Sequence, residues 1–249
     1  MKLNFLAIIP ARGGSKEIKN KNLVKINNKP LVSYSIESAK NSKYINKIVV
    51  TTDNKKIMDT SKKFGAEIIV RPKHLSNDKA SIEDAVMHTL KKLKNKNYDP
   101  DYIILLQPTS PLRKKNEIDK VIEKLLKAKA DSIFSSVSLH PAMWKWKKKY
   151  TKPILNKQFN NPVHVIDRQK LPETLIANGS IYVTKKETFK KSRSRVGGKV
   201  TSYIMEPLTL IEIDSKQDLE TLKIILNQST IKKLNLITPK NVKKKNLSK

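Results

Sequence analysis

Residues 47–70 read KIVVTTDNKKIMDTSKKFGAEIIV, and they place three elements end to end. The run at 47–53 is apolar, β-branched and closed by an acid, which predicts a strand buried on both faces. The segment 54–65 predicts a helix that Gly65 stops, and 66–70 predicts another buried strand. Two such strands joined by a helix pair in parallel through a right-handed crossover.

The same alternation extends in both directions. Leu3 to Pro10 is a short apolar run of the buried-strand kind, and Leu31 to Ala39 predicts a helix entered after Pro30. Downstream, 81–94 is helical, 101–111 returns to strand, 116–130 is helical and 131–139 is strand. NGSIYV (178–183) predicts a core strand, and LIEIDSKQDLETLKIILN (210–227) a strand that delivers acids to a helix. Strand and helix in turn predict an α/β, three-layer domain with a mostly parallel central sheet. From His140 to Leu175 the texture changes to aromatics, prolines and short strand-like pieces, so the core is expected over 1–139 and 176–230, with 140–175 as an inserted arm. Trp144 and Trp146 in that arm form either a small local core or a partner-facing patch. Residues 231–249 read as a basic, flexible tail.

Composition narrows the chemistry. The 249 residues suffice for one large domain, and the absence of cysteine excludes disulfides and thiolate metal sites. The apolar start, Met1 to Pro10, is too short to span a membrane and lacks the layout of an export signal, so a cytoplasmic protein without membrane insertion is expected. A net charge of +30 would ordinarily point to nucleic acid, but 46 of the 52 basic residues are lysines spread over the chain and only six are arginines. Surfaces that clamp phosphates and read bases favour the planar guanidinium fork. No dedicated nucleic-acid partner is therefore expected. Arg12, Arg71, Arg113 and Arg168 all fall in distinctive segments.

Sites in parallel α/β sheets form at the carboxyl ends of the strands, and five segments converge there. PARGGSK (10–16) combines Gly13 and Gly14, which permit close backbone approach, with Arg12, Lys16 and the nearby Lys21, which neutralise a polyanion. Ala11 and Ser15 complete this phosphate loop, which matches neither the P-loop nor the dinucleotide spacing. Asp53 closes its strand as a metal ligand, a ligand-orienting acid or a helix cap. Arg71, Ser76 and the pair Ala80 and Ser81 supply donors suited to a nucleobase edge or ribose, although Ser81 serves equally as an N-cap. LLQPTSPLR places Gln107, Thr109, Ser110 and Arg113 between and beside two prolines, more donors than a turn requires. In IEIDSKQD, alternation sends Glu212 and Asp214 to one face, where they repel unless protonated, hydrogen-bonded or bridged by a cation. Beside a polyphosphate pocket the economical cation is Mg²⁺. The four histidines have no metal-ligand spacing.

Taken in order, IIPARGGSKEIKNKNL, LQPTSPLR, RQKLPETLIANGSIYV and IEIDSKQDL resemble the acylneuraminate cytidylyltransferase family over Leu3 to Leu226. The resemblance implies a Rossmann-like nucleotidyltransferase fold and transfer of CMP from CTP to a sialic-type nonulosonic acid, with N-acylneuraminate as the first acceptor and legionaminic or pseudaminic acid as alternatives. It implies that Arg12, Lys16 and Lys21 meet the triphosphate, with Asn22, Arg71 and Ser81 near the cytidine. Gln107, Thr109 and Ser110 then belong to the sugar-pocket loop, and Arg168 and Asn178 face the sugar acid or the nucleotide. It also implies a homodimer through the arm at 140–175. The family commonly carries two aspartates where this chain has Glu212 and Asp214, so Asp214 takes the firmer metal role. Arg12, Lys21 and Asp214 are the expected catalytic residues. A non-enzymatic nucleic-acid-binding protein is the alternative of a different class, and it leaves the acid pair without a purpose.

Overall fold

The computed structural model describes residues 3–140, 144–148, 150–153 and 173–227. In chain order the elements are β1 (Phe5–Pro10), β2 (Lys25–Ile26), β3 (Lys29–Pro30), α1 (Leu31–Lys40), β4 (Ile45–Thr52), α2 (Lys55–Lys63), β5 (Glu67–Val70), α3 (Ile82–Lys94), β6 (Tyr102–Leu106) and α4 (Glu117–Lys127). They continue with β7 (Ser132–Leu139), β8 (Trp144–Lys147), β9 (Tyr150–Pro153), β10 (Thr174–Lys185), α5 (Lys186–Ser192), β11 (Val200–Ile204) and α6 (Lys216–Asn227). Single 3-10 turns occupy Lys21–Leu23, Lys73–Leu75 and Pro207–Leu210.

The central sheet has seven strands in the order β11-β7-β10-β6-β1-β4-β5. β1 pairs in parallel with β4 and β6, β4 with β5, and β7 with β11, while β10 runs antiparallel to both of its neighbours. The expected strand-helix-strand unit at 47–70 is present, with Val49 opposite Glu67. The antiparallel strand follows from where the chain goes: it leaves the sheet at Leu139 and re-enters at Thr174 directly opposite, so β10 runs back along β7.

β1 shows why this sheet must be covered on both sides. Phe5, Ala7 and Ile9 enter one cluster with Val32 and Ile36 of α1, Ile57 of α2 and Val121 and Leu125 of α4. Leu6 and Ile8 enter another with Val86, Leu90 and Leu93 of α3 and Phe189 of α5. Every residue from Phe5 to Ile9 is at most 2% exposed, and Phe5, Leu6, Ile8 and Ile9 each contribute about 1.5–3 kcal/mol on burial. A third cluster joins Ile26, Leu31 and Tyr34 to Ile213, Leu219 and Leu222, which docks α6 beside the carboxyl end of the sheet.

Two sequence expectations need correction. Residues 211–214 are not a strand: they follow a 3-10 turn begun by Pro207, and Ile213 makes a single backbone bond, donating to the Thr109 carbonyl at 2.8 Å. Any extended segment alternates its side chains, whereas a ladder needs a free sheet edge, and the edges of this sheet are β11 and β5. The elements α5 and β11 were also unanticipated, because α5 is about two lysine-rich turns that bury only Phe189. Most of the arm, including Arg168, and the tail at 231–249 lie outside the described residues. Within the arm, β8 and β9 pair as an antiparallel hairpin, and the side chains of Trp144 and Trp146 lie outside the described set.

Candidate active site

Going outward from β1, the chain passes first to β4 and β5 on one side and then to β6 on the other. That reversal opens a crevice at the carboxyl ends of β1 and β6, where open α/β sheets hold their ligands. A cavity of about 500 Å³ occupies it. It is lined by Arg12, Ser15, Lys16, Lys21 and Asn22 from the loop after β1, by Arg71, Ala80 and Ser81 from the loop after β5, and by Gln107 and Thr109 from the loop after β6. Glu212 and Asp214 close it from the segment before α6.

Four cationic side chains thus share the wall with four carboxylates, Glu17, Asp78, Glu212 and Asp214, and the pairings are specific. The Lys21 ammonium is 2.8 Å from Asp214 Oδ1, with only 16% of the lysine side chain exposed. Arg12 and Lys16 each lie 2.9 Å from opposite oxygens of Asp78, so this cavity-lining acid stands where an incoming anion would have to replace it. Arg71 is buried, donates to the Thr51 carbonyl at 2.8 Å and has no partner for Nε among the described residues. Burial pulls its guanidinium down to about 10, against the attraction of Asp53. Burial, and after it Asp214, push the Glu212 carboxyl up, while a hydrogen bond from Gln107 opposes the rise. A raised carboxyl beside a second acid marks a place where a cation would be welcome.

Not every expected residue reaches the cavity. The Gly13 amide is spent on Asp53, donating to Oδ1 at 2.9 Å, rather than left free for a phosphate. A Cβ at Gly13 would stand 2.8 Å from Asn54 Cβ, so this glycine permits the loop to cross the start of α2. Gly14 has open space around it, and Ala11 is buried, its amide extending the pairing of β1 by a bond to Thr51. Asp53 is therefore a loop anchor, and the cap of α2 is Asn54, which accepts from the Ile57 amide. Ser81 caps α3 by accepting from the Asp84 amide at 3.0 Å, and it lines the cavity as well.

Ser110 and Asn178 are each 1% exposed and absent from the cavity wall. Asn178 accepts from the Ser135 hydroxyl and donates to Thr209 Oγ1 at 2.7 Å, tying β10 to β7 where their register shifts. Arg113, read as a functional donor, is fully buried and donates to the carbonyls of Gln107 and Ser180 and to the Ser35 hydroxyl. It holds the loop that presents Gln107.

Two participants escaped the sequence reading. Asp78 stands in a polar loop with no pattern to single it out, and Arg195 is one of two arginines in KSRSRV that carry no motif. Gly179 is the third surprise: it has φ +66°, and a Cβ there would sit 2.3 Å from Glu212 Oε1. Gly179→Ala is expected to destabilise the protein by roughly 1–2 kcal/mol for the left-handed backbone alone and to displace the Glu212 carboxylate. Denaturant melts check the first effect, and a wild-type midpoint would refute it.

The chain is similar to known proteins over most of its length. Residues 6–238 match a family model described as Cytidylyltransferase. Pseudaminic acid cytidylyltransferase of Campylobacter jejuni subsp. jejuni is 31% identical over 229 residues, 88% of this chain and 95% of that one. N-acylneuraminate cytidylyltransferase of Escherichia coli O18:K1:H7 is 28% identical over 254 residues, which span 95% of this chain and 55% of that protein. Among solved structures, CMP:2-keto-3-deoxy-manno-octonic acid synthetase complexed with CTP superposes with a TM-score of 0.64 at 16% identity, covering 90% of this chain and 98% of the other. At that identity the likeness establishes a shared α/β, Rossmann-like nucleotidyltransferase fold.

Proposed function

This chain belongs to the cytidylyltransferase family, and from that premise we propose that it transfers CMP from CTP to the anomeric hydroxyl of a nonulosonic acid and releases pyrophosphate. The observation that carries the reading is the cavity at the carboxyl ends of β1 and β6, in which Arg12, Lys16, Lys21 and Arg71 face Glu212 and Asp214. A triphosphate matches the cations, and the unpartnered Nε of buried Arg71 suits a ligand rich in acceptors.

The acceptor oxygen attacks the α-phosphorus, the bond to the β-phosphate breaks so that pyrophosphate leaves, and the hydroxyl proton passes to water. Negative charge gathers on the phosphoryl oxygens in the transition state. Arg12 and Lys21 stand ready to stabilise it in a partly enclosed cavity, where fixed charges act more strongly than in water. Ser81 and Asn22 face the nucleoside, and Gln107 and Thr109 face the acceptor. Arg168, outside the described residues, is proposed for the acceptor's carboxylate because a planar guanidinium can pair a carboxylate through two bonds.

The donor set suits a hard divalent cation. Glu212 and Asp214 would hold Mg²⁺, and no group of three His, Cys, Asp or Glu capable of holding a metal occurs among the described residues, so phosphate oxygens and water would complete its shell. When bound, Mg²⁺ supplies positive charge to the triphosphate. The arm at 140–175 is proposed to pair two copies.

Similar proteins support two acceptor branches. Pseudaminic acid is supported by a relative matched over 95% of its own length, and N-acylneuraminate by one matched over 55%. The deciding experiment is pyrophosphate release from CTP and Mg²⁺ with N-acetylneuraminic, legionaminic or pseudaminic acid, each product weighed by mass spectrometry. One acid is expected to yield its CMP conjugate. Absence of both turnover and CTP binding would overturn the reading. No helix among the described residues is long and apolar enough to cross a membrane.

A further inference from the structure

Arg195 lies between α5 and β11, outside the cavity wall, and the reaction as described leaves it without a task. Its side chain is one-quarter exposed, and three elements hold it. Nε donates to Glu83 Oε1 on α3 at 2.7 Å, Nη1 donates to Gln107 Oε1 at 3.1 Å, and the guanidinium carbon stands 5.4 Å from the centre of the Tyr182 ring on β10. A planar group held by an ion pair, a hydrogen bond and an aromatic face has little freedom to turn.

The chemistry of the pair settles an orientation. A guanidinium has donors only, so the Gln107 atom it meets must be the amide oxygen. The amide nitrogen then points the other way. Gln107 also lines the cavity, together with Glu212. Without Arg195 the amide could turn over and present its oxygen to the cavity, where it would repel the lone pairs of an acceptor oxygen.

We propose that Arg195 is a positioning residue: by taking the Gln107 oxygen it locks the Gln107 NH₂ towards the cavity and Glu212, so that the acceptor meets a donor. This rests on the reading above that the acceptor binds beside Gln107. Arg113 fixes the backbone of the same residue through its carbonyl, so backbone and side chain of Gln107 are each held by a separate arginine.

The test pairs a kinetic cycle with a readout independent of turnover. Wild type, Arg195→Met, Gln107→Ala and the double variant are compared for acceptor KM, and CTP affinity is measured calorimetrically. Arg195→Met is expected to raise the acceptor KM about tenfold, the scale of one hydrogen bond, and to leave CTP affinity unchanged. Added to Gln107→Ala it should cost nothing further, since Arg195 acts through Gln107. Losses that add, or an unchanged acceptor KM, would overturn the assignment. In parallel, the Gln107 side-chain NH₂ resonances, assigned by their absence in Gln107→Ala, should be shifted and slow to exchange in wild type and solvent-like in Arg195→Met. Unaltered resonances would also overturn it. If the resonances respond but no acid reacts, the proposed function fails while the lock stands. Should Arg195→Met not fold, Arg195→Lys keeps a charge opposite Glu83 but cannot donate to Glu83 and Gln107 from one plane, and the same loss of the locked amide is expected.

Discussion

Lys21→Ala is expected to lower kcat on the order of 10² to 10³ with the smaller change in the KM for CTP. Lys21 reaches the cavity from the 3-10 turn at Lys21–Leu23, and its ammonium is 2.8 Å from Asp214. Removing it does two things at once. The phosphoryl oxygens lose a cation in the transition state, where their charge is greatest, and Asp214 loses its counter-ion beside Glu212. The side chain is largely covered, so water replaces the lost charge poorly. Steady-state kinetics at saturating CTP and acceptor check the effect, and unchanged turnover would reject the assignment. Lys21→Arg discriminates further: the larger planar head keeps the charge but not the point contact with Asp214, so partial activity is expected.

Arg113→Met is expected to destabilise the protein by about 3–5 kcal/mol, a large share of the 5–15 kcal/mol typical of a folded domain. The guanidinium is fully buried, and burial pulls it down to about 9, opposed by the nearby Glu117 carboxylate. That cost is offset by three bonds: the guanidinium donates to the carbonyls of Gln107 and Ser180, at 2.9 and 2.8 Å, and to the Ser35 hydroxyl at 3.0 Å. Methionine fills the volume and makes none of these bonds, each worth about 1.5–3 kcal/mol from a charged donor, while the Gln107 carbonyl keeps the Ser35 hydroxyl and the Ser110 amide as donors. Denaturant unfolding measures the loss. A change below about 1 kcal/mol would show that water or a shifted loop replaces the arginine. The folded fraction should also lose acceptor affinity, because the same bond sets the backbone that presents Gln107.

These two arginine and lysine positions illustrate how differently residues disclose themselves in a sequence. Lys21 was legible because the charge follows a glycine pair after a buried strand, and local order alone places it near the strand end. Arg113 was legible as unusual but not as structural, since burial depends on α1, β6 and β10 closing around it. Asn178 and Ser110 were misjudged for the same reason: their polar groups are spent on backbone and on Ser135 and Thr209, all distant in sequence. Glu212 and Asp214 were placed correctly on one face although the strand invoked to place them does not form. Alternation is a property of extended backbone, with or without a ladder.

Periodicity along the chain, read with its punctuation by glycine and proline, sufficed for the α/β class, for most of the elements and for the end of the sheet where a site would form. These follow from local geometry: the period of two or 3.6 residues and the need to bury apolar faces are written into neighbouring residues. The direction of β10, the loop in place of a strand at 211–214, the Asp78 counter-ion and the Arg195 contact to Gln107 were settled by folding alone. Each depends on which groups meet across 35 or more residues of chain or on which sheet edge is already occupied, and no local pattern records those meetings.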